Sequence, residues 1–297
     1  MRDALKLPMY YIIEPTNVCN YRCTICPNRF FASDEKGYMS WELFEKIIFQ
    51  IREDARVIQL YWMGESFFHP QLIDMIKLCK AKTSAKVMLS TNGSILKCDI
   101  IDAMLKSGID EVIISLDAAD EQKIYEVIRV GGHLASVNSN VEYLLSKNNN
   151  RVHIVLQFID MFINRSEREI FKQKWIQANC TVSIQCLYTW SNQIPSLNLA
   201  SDNLSPVVKK ERVPCADLWN KVSIHWDGNV SACCFDWHST LLLGDTNKES
   251  LIDIWNGESA KTLREMHCSG KYSDIPLCKE CDAWAEPDEY HSLFHME

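Results

Sequence analysis

The stretch Glu14-Pro-Thr-Asn-Val-Cys-Asn-Tyr-Arg-Cys-Thr-Ile-Cys-Pro27 places three cysteines, Cys19, Cys23 and Cys26, close together in the chain. Three thiolates at this spacing can gather around one small metal centre. A cubane iron–sulfur cluster takes four ligands, so three cysteines leave one iron open to another ligand. The run follows a predicted strand at 9–13 and precedes an amphipathic stretch. It therefore lies in a loop at the carboxyl end of a strand, where barrel enzymes hold their catalytic groups.

Three other kinds of site use closely spaced cysteines. A zinc knuckle needs a fourth ligand nearby, but the first Cys or His after Cys26 is His69. The odd count of 13 cysteines in 297 residues, with no secretory signal, argues against a disulfide framework. Pro27 is typical of ferredoxin runs, but those carry a fourth cysteine close by. An open cubane cluster is therefore the best interpretation.

The composition excludes several classes of protein. The net charge of −8, without any Lys/Arg run, argues against a nucleic-acid or anionic membrane surface. No apolar run approaches the ~20 residues of a membrane span, and the charged N-terminus does not resemble a signal peptide. Many cysteines without a signal indicate a reducing compartment and metal chemistry. We therefore expect a cytoplasmic protein with no nucleic-acid or membrane partner.

The first 190 residues alternate between short β-branched runs and helical patterns. Strands are predicted at 9–13, 57–62, 86–90, 111–116, 153–158 and 182–187. Helices are predicted at 40–52, 71–81, 97–107, 119–129, 134–146 and 166–179. Ser40 is a suitable N-cap, and Gly108 a suitable helix stop. Six β/α units in series predict parallel strands joined by right-handed crossovers.

The pattern changes after a polar stretch at 191–214, which we interpret as a linker. Strands at 222–226 and 230–233 flank Asp227-Gly228-Asn229, a strong hairpin signal. A turn at Gly244-Asp245 and helices at 250–255 and 259–266 follow. This segment is too small to bury a large core, so it needs a staple.

The C-x3-C-x2-C motif at a strand end resembles that of the radical S-adenosylmethionine (SAM) superfamily. The resemblance implies an α/β fold, a partial (β/α)6 open TIM-like barrel, and the strand pattern points the same way. It implies a [4Fe-4S] cluster whose open iron binds the amino and carboxylate groups of SAM. Electron transfer to SAM then gives a 5′-deoxyadenosyl radical, which removes a hydrogen atom from a substrate C–H bond. An electron donor such as flavodoxin or ferredoxin is the implied partner.

Two strand ends resemble the family's SAM-binding motifs. Gly64 and Glu65, in Met63-Gly64-Glu65-Ser66, match a Gly-Gly-Glu motif whose backbone carbonyls hold the SAM amino group, although Met63 replaces the first glycine. Asn92, in Thr91-Asn92-Gly93, closes the third strand, where the family lines the SAM pocket. Ile25 departs from the aromatic residue usual before the third cysteine, but it can still pack on adenine.

Further candidates follow the fourth strand. Ser115 and Asp117 end it, where the family commonly places a polar side chain that reaches the ribose or carboxylate of SAM. Arg129, followed by Gly131-Gly132, could pair with that carboxylate as a bidentate fork. Taken singly, such residues are more often turns or helix caps. Their position at successive strand ends favours all of them as parts of one site.

A second set of cysteines lies near the C-terminus. Cys215 is followed by twelve residues, Gly228, four residues and Cys233, and the pair Cys278-Lys-Glu-Cys281 comes 44 residues later. The glycine can turn the hairpin so that its cysteine-bearing ends approach the pair. From spacing alone, a four-thiolate zinc site competes with an iron–sulfur cluster.

This layout resembles the SPASM/twitch extension of the same superfamily, in the version found in 2-deoxy-scyllo-inosamine dehydrogenase-like enzymes. The resemblance implies one auxiliary [4Fe-4S] cluster on Cys215, Cys233, Cys278 and Cys281, because no cysteine follows Cys281. Four cysteine ligands leave no open iron, so this cluster would carry electrons or hold structure. The expected domains are a radical SAM core at 1–200 and an auxiliary cluster domain at 201–297.

The remaining cysteines have weaker assignments. Cys234 is a candidate catalytic residue, the hydrogen-atom donor of a radical epimerase, although a packing role is the simpler alternative. Cys186 is a weaker donor candidate, and His153, Gln157 and Gln185 on strands five and six could face the substrate. Four cysteines are interpreted as packing residues: Cys79, Cys98, Cys180 and Cys268.

The sequence leaves three functions open. The first is an oxidoreductase, a dehydrogenase or epimerase, acting on a small molecule such as a sugar or aminocyclitol. The second is a radical SAM maturase that modifies a peptide or protein. The third is an electron carrier or zinc-stabilised scaffold without SAM chemistry, which six β/α units around an open cluster site make the least expected.

Overall fold

The computed structural model describes residues 7–194, 196–197 and 212–281. Within these residues nine strands form one sheet in the order β6-β5-β4-β3-β2-β1-β7-β8-β9. The strands are β1 Tyr10–Ile13, β2 Val57–Gln59, β3 Lys86–Thr91, β4 Glu111–Ser115, β5 His153–Asp160, β6 Thr181–Cys186, β7 Lys221–Ile224, β8 Asn229–Ser231 and β9 Leu242–Asp245.

Helices connect the first six strands and surround the auxiliary segment. They are α1 Trp41–Ile48, α2 Leu72–Lys82, α3 Cys98–Leu105, α4 Gln122–Ile128, α5 Leu134–Asn148, α6 Arg168–Trp175, α7 Asp217–Asn220, α8 Leu251–Trp255, α9 Glu258–Cys268 and α10 Pro276–Lys279. Ser40 caps α1 as predicted, because its side chain accepts from the Leu43 N–H at 3.1 Å. None of these helices, over the described ranges, is long and apolar enough to cross a membrane.

The first six strands pair in sequence order, and every pair is parallel. Their β-branched and aliphatic side chains, such as Ile13, Ile58 and Ile114, are fully buried between the sheet and the surrounding helices. All six predicted strands of this part are present, and the predicted partial (β/α)6 open barrel is confirmed. The loops at the carboxyl ends of these strands therefore lie at one end of the barrel.

The C-terminal strands continue the barrel sheet. Strand β7 pairs in parallel with β1, from Tyr10 opposite Lys221 to Ile13 opposite Ile224. The predicted hairpin joins β7 to β8, and Gly228 has the positive φ of +94° that its turn requires. Because β7 pairs with β1, the C-terminal segment that contains the second set of cysteines lies beside the first strand of the barrel.

The predicted turn at Gly244-Asp245 is wrong, because both residues belong to β9, which pairs with β8. Glycine is needed there for close packing: a Cβ at position 244 would lie 2.8 Å from Ile254 Cγ1. The domain boundary at 200 stays a prediction, because 198–211 lie outside the described residues. The 191–214 linker lies partly outside them too, although Ile194 and Leu197 within it are buried.

Candidate functional site

The three motif cysteines lie in the loop that follows β1. Backbone hydrogen bonds of 2.9 Å, from Arg22 N–H to Val130 O and from Thr24 N–H to Ile128 O, fix this loop against the end of α4. Burial is the main cause that raises the pKa of Cys19 to about 11 and that of Cys26 to about 12, and neighbouring motif thiols contribute to both increases. The three thiols are therefore close enough to interact, and cluster binding would release their protons.

Nitrogen donors are directed at two of these sulfurs. The Tyr21 N–H lies 3.4 Å from Cys19 Sγ, and Asn92 Nδ2 lies 3.9 Å from the same atom. Arg129 Nη1 lies 3.8 Å from Cys23 Sγ. Donors of this kind stabilise the negative charge of a thiolate-bound cluster. The loop therefore suits an iron–sulfur cluster on Cys19, Cys23 and Cys26.

Gly64 is packed directly against the segment that leads into this loop. A Cβ at position 64 would lie 2.1 Å from the Thr16 carbonyl oxygen, a contact with rigid backbone that no side chain permits. The Glu65 N–H donates to Val18 O at 2.9 Å and joins the same two segments. Met63, which stands where the family has glycine, is itself buried.

Glu65 is buried and its carboxylate is used inside the protein. Oε1 accepts from Thr91 Oγ1 at 2.8 Å, and Oε2 accepts from the Asn92 N–H at 2.7 Å. The side chain therefore holds the loop after β2 against the loop after β3. Asn92 in turn donates to Asn20 Oδ1 at 3.0 Å, beside the cysteines. Both carboxylate oxygens are thus occupied, and the prediction that Glu65 contributes to SAM binding concerns its backbone, as the motif implies.

Arg129 and Asp117 form a buried ion pair beside Cys23. The guanidinium donates twice to Asp117 Oδ2, from Nε at 2.7 Å and Nη2 at 2.6 Å. Asp117 is fully buried, and its Oδ1 accepts from the Ile159 N–H at 2.7 Å. Its φ of +62° is unusual for a non-glycine residue and marks a constrained turn. Asp117 thus positions Arg129, whose Nη1 points toward the cysteine loop.

The other strand residues fall into two groups. Ser115 lies at the carboxyl end of β4, the end of the barrel that holds the cysteine loop. It donates to Gln157 Oε1 at 3.3 Å, so Gln157 lies near the same end. His153 is different because it is the first residue of β5. Its Nδ1 lies 2.7 Å from Oε2 of Glu111, which is the first residue of β4. Both lie at the amino ends of their strands, so the prediction that His153 faces substrate is wrong. Gln185 binds Ser183 Oγ at 2.7 Å on its own strand.

The four C-terminal cysteines approach one another around a small core. Burial, with a contribution from the Cys281 thiol, raises the pKa of Cys278 to about 11. Burial also raises the pKa of Cys215, and Cys281 adds to this effect. The buried core beneath them consists of Leu218, Ala232, Leu263 and Ile275, small enough to need the predicted staple. We call these four cysteines the auxiliary site.

No three His, Cys, Asp or Glu side chains among the described residues are arranged to hold a single metal ion. Four thiolates on one zinc at about 2.3 Å would lie within about 4 Å of each other. A cubane spreads its ligands over four irons and needs wider spacing. Both kinds of site need four thiolates, and the auxiliary site supplies them from Cys215, Cys233, Cys278 and Cys281.

Cys234 lies at the edge of the auxiliary site. Its thiol shares a hydrogen bond with the Cys233 thiol, which raises the pKa of Cys233 and lowers that of Cys234. Its carbonyl accepts from Trp62 Nε1 at 2.8 Å. Among the cysteines predicted to pack, Cys79 is buried and Cys180 half-buried, but Cys98 and Cys268 are exposed, so that prediction is wrong for these two.

Trp190 is a contact between the two cysteine regions that sequence reasoning missed. Its indole N–H donates to Ile25 O at 3.1 Å, next to Cys26, and its ring packs edge-on against Phe235 at 5.7 Å. Trp190, Ser191 and Asn192 all have positive φ, between +56° and +59°. Three consecutive non-glycine residues in this region are strained, which is characteristic of functional segments.

Glu14, also missed, is a buried carboxylate shared by both regions. Oε1 accepts from the Met63 N–H at 3.1 Å, and Oε2 accepts from the Trp226 N–H at 3.2 Å in the auxiliary hairpin. It directly follows β1, so its position as a polar residue at a strand end was a usable signal. The carboxylate therefore joins the motif after β2 to the C-terminal segment.

Glu14 should make folding stability depend on pH. Burial raises its pKa from 4.5 to about 7, so the folded protein retains a proton that the unfolded chain has lost. The contribution of Glu14 to folding stability is complete at a pH below its pKa in the unfolded chain. This contribution is lost as the pH rises through the pKa in the folded protein, by up to about 3 kcal/mol. Anaerobic urea unfolding between pH 4 and 8 should give a flatter profile for Glu14→Gln than for wild type. The exposed Glu53→Gln is the control, and parallel Glu14→Gln and wild-type profiles would contradict this role.

Comparison with known proteins identifies two family models. The radical SAM superfamily model matches residues 13–172, more than half of the chain and including Cys19, Cys23 and Cys26. The SPASM model, an iron–sulfur cluster-binding domain, matches residues 215–282 and includes all four cysteines of the auxiliary site. The predicted SAM-binding [4Fe-4S] cluster, SAM and auxiliary cluster are confirmed as cofactors by these matches.

Several relatives span nearly the whole chain. A tungsten-containing aldehyde ferredoxin oxidoreductase cofactor-modifying protein of Pyrococcus furiosus is 25% identical over 92% of this chain and 86% of its own. The SAM-dependent 2-deoxy-scyllo-inosamine dehydrogenase of Niallia circulans is 22% identical over 91% of each chain.

Among solved structures, BtrN in complex with AdoMet and 2-DOIA covers 93% of this chain and 94% of its own, with a TM-score of 0.63 and 17% identity. This likeness supports the fold. The cysteine loop at the end of β1, the open barrel and the matched models lead to one conclusion: the chain belongs to the radical SAM superfamily and carries a SPASM domain.

Proposed function

We propose that this radical SAM enzyme oxidises a hydroxyl-bearing carbon of a small molecule such as a sugar or aminocyclitol. The proposal is based on two residues that link the cysteine loop to the C-terminal segment. Trp190 donates to Ile25 in the cysteine loop, and Glu14 accepts from Trp226 in the C-terminal hairpin. Oxidation by two electrons needs a second electron acceptor close to the carbon that lost hydrogen. An auxiliary site that is linked to the cysteine loop through the Trp190–Phe235 contact supports the presence of such an acceptor.

In this proposal the chain's residues bind and orient the cofactors. When bound, the cofactors supply a hydrogen-abstracting 5′-deoxyadenosyl radical and an acceptor for a further electron. Cys19, Cys23 and Cys26 hold the first cluster, and Cys215, Cys233, Cys278 and Cys281 hold the auxiliary one. Flavodoxin or ferredoxin as the electron donor stays a prediction.

The SAM molecule is bound by strand-end groups. The backbone at Gly64 and Glu65 accepts from its amino group, while Arg129, fixed by Asp117, presents a cation to its carboxylate. Asn92 and Ser115 line the pocket between these two ends. The proposal is supported by the burial of Asp117 and Glu65, which leaves the groups around SAM little freedom to move.

Aromatic rings cover the region between the two cysteine sets. Phe31 and Trp237 meet edge-on at 5.5 Å, joining the loop after Cys26 to the loop after Cys234. Tyr188 packs on Phe235 at 5.6 Å from the loop after β6. Apolar walls of this kind exclude water and dissolved molecules from the site and so limit side reactions of a reactive intermediate.

Epimerisation is the alternative outcome at the same carbon. It needs a hydrogen-atom donor, and Cys234 is the candidate because it borders the auxiliary site. The donor's thiol must reach the substrate, whereas Cys234 hydrogen-bonds to Cys233. This contact favours oxidation over epimerisation in our proposal.

A peptide or protein maturase is the second candidate function. Phe30 follows the cysteine loop after β1, and Phe162 and Ile163 follow β5, so all three lie at the carboxyl end of the barrel. Their exposed fractions are 52%, 67% and 43%. Exposed apolar groups around a site favour a bulky apolar partner.

The test uses deuterated substrates. 2-Deoxy-scyllo-inosamine and related aminocyclitols and sugars, deuterated at each hydroxyl-bearing carbon, are incubated anaerobically with SAM and reduced enzyme. We expect deuterium in 5′-deoxyadenosine and an equal amount of ketone. If wild type instead forms an epimer that carries a hydrogen from solvent, and the Cys234→Ala variant does not, the enzyme is an epimerase and the proposed oxidation is wrong. Deuterium transfer from a labelled peptide library alone would favour the maturase.

A further inference from the structure

His267 lies inside the auxiliary site, although it is not one of the four cysteines. It belongs to α9 and its exposed fraction is 2%. Nδ1 lies 3.3 Å from the Cys215 backbone nitrogen, and Nε2 lies 3.4 Å from Cys278 Sγ. The imidazole ring therefore bridges two cysteines that come from different segments of the chain.

The Cys215 amide determines which ring nitrogen carries the proton. A backbone N–H can only donate, so Nδ1 must present its lone pair to it. The neutral ring then carries its proton on Nε2, which donates to Cys278 Sγ. The same geometry excludes His267 as a cluster ligand, because a ligating Nε2 would need its own lone pair free.

Neighbouring groups hold the ring in this orientation. The Tyr272 ring packs edge-on against His267, with centroids 5.1 Å apart and an interplanar angle of 79°. The Arg212 guanidinium lies over Tyr272 at 4.4 Å, and its Nη2 donates to Cys278 O at 2.7 Å. His267 is thus part of a built shell around Cys278, and its N–H···S contact is fixed by packing.

We propose that His267 raises the reduction potential of the auxiliary cluster through its hydrogen bond to Cys278 Sγ. The proposal rests on the proposed function, in which the four cysteines hold that cluster. Reduction adds negative charge to the cluster, and a hydrogen bond to a ligand sulfur stabilises that charge. A higher potential makes the cluster a better acceptor of the electron released by the substrate.

The experiment measures the midpoint potential of the auxiliary cluster alone. The parent protein carries Cys19→Ala, Cys23→Ala and Cys26→Ala, so that one cluster gives the EPR signal during redox titration. His267→Phe keeps a flat ring beside Tyr272 but has no donor, and His267→Leu is a second non-donor. Both should shift the midpoint potential downward relative to the parent. His267→Gln has an oxygen for the Cys215 N–H and an N–H for Cys278, so it should recover much of the shift.

His133→Phe is the control, because His133 is exposed at the start of α5 and should leave the potential unchanged. A non-donor variant with full iron content and the parent's potential would overturn the inference and leave the proposed function intact. Loss of iron from both non-donor variants would overturn it too and make His267 a support of the site. A parent without iron would overturn both the inference and the proposed auxiliary cluster.

Discussion

Replacement of Cys19, Cys23 and Cys26 together by alanine is expected to lower the iron content from about eight to about four per chain, because one of two cubane clusters is lost. SAM cleavage should fall to background, and Cys23→Ala alone should have the same effect on cleavage. Cys23 is the most buried of the three and receives Arg129 Nη1, so neither water nor a neighbouring residue can readily replace its thiolate. The measurements are iron and sulfide content, EPR and 5′-deoxyadenosine formation after anaerobic reconstitution.

The matched controls are Cys98→Ala and Cys268→Ala, since both cysteines are exposed and belong to neither set of cluster-binding cysteines. They should keep full iron content and SAM cleavage. Retained cleavage in Cys23→Ala would refute the assignment of the first cluster. About four irons and one zinc in wild type, with no iron in the triple variant, would make the auxiliary site a structural zinc site.

Replacement of Arg129 by leucine is expected to destabilise the protein by about 3–5 kcal/mol, the usual cost of leaving a buried charge without its partner. Asp117 is fully buried, and both of its contacts with Arg129 go to one carboxylate oxygen. Without the guanidinium, that oxygen loses two charge-assisted hydrogen bonds. SAM affinity should fall as well, because the cation next to Cys23 is removed. Anaerobic urea unfolding and equilibrium SAM binding measure the two effects.

Arg168→Leu is the matched control, because Arg168 also pairs with an aspartate, Asp160, at 2.9 Å but is about a third exposed. Its loss should destabilise the protein much less than the loss of Arg129, because an ion pair made by an exposed side chain is screened by solvent. The double variant Arg129→Leu/Asp117→Asn removes both charges and should be more stable than Arg129→Leu alone. Equal costs for Arg129→Leu and Arg168→Leu would show that the buried pair contributes little to folding.

The barrel was predictable because most of its strands are short runs of buried, largely β-branched or aliphatic residues that alternate with helical patterns. Ile58 and Ile114, for example, are fully buried on strands that the pattern identifies. Strand β9 was not predictable, because Gly244-Asp245 has the residues of a turn. Its glycine is there to accommodate Ile254, a contact that depends on the folded structure.

The candidate site was predictable where position along a strand is enough. Asn92 and Asp117 follow strand ends, Arg129 follows helix α4, and the structure brings all three to the cysteine loop. His267 carried no such signal, because its contact with Cys278 depends on how α9 packs. His153 misled for a related reason: alternation along a strand indicates which side a residue faces, but not which end of the barrel it occupies.

The parallel pairing of β1 with β7 has a consequence for synthesis of the chain. The ribosome releases β1 early, but its outer edge has no partner until residue 224 is available. At typical elongation rates this takes roughly ten to forty seconds, during which an unpaired apolar strand edge can join a wrong partner. A fragment cut near residue 200 keeps that open edge permanently. The C-terminal segment thus covers the outer edge of β1, and newly made chains have most need of chaperone protection before it is translated.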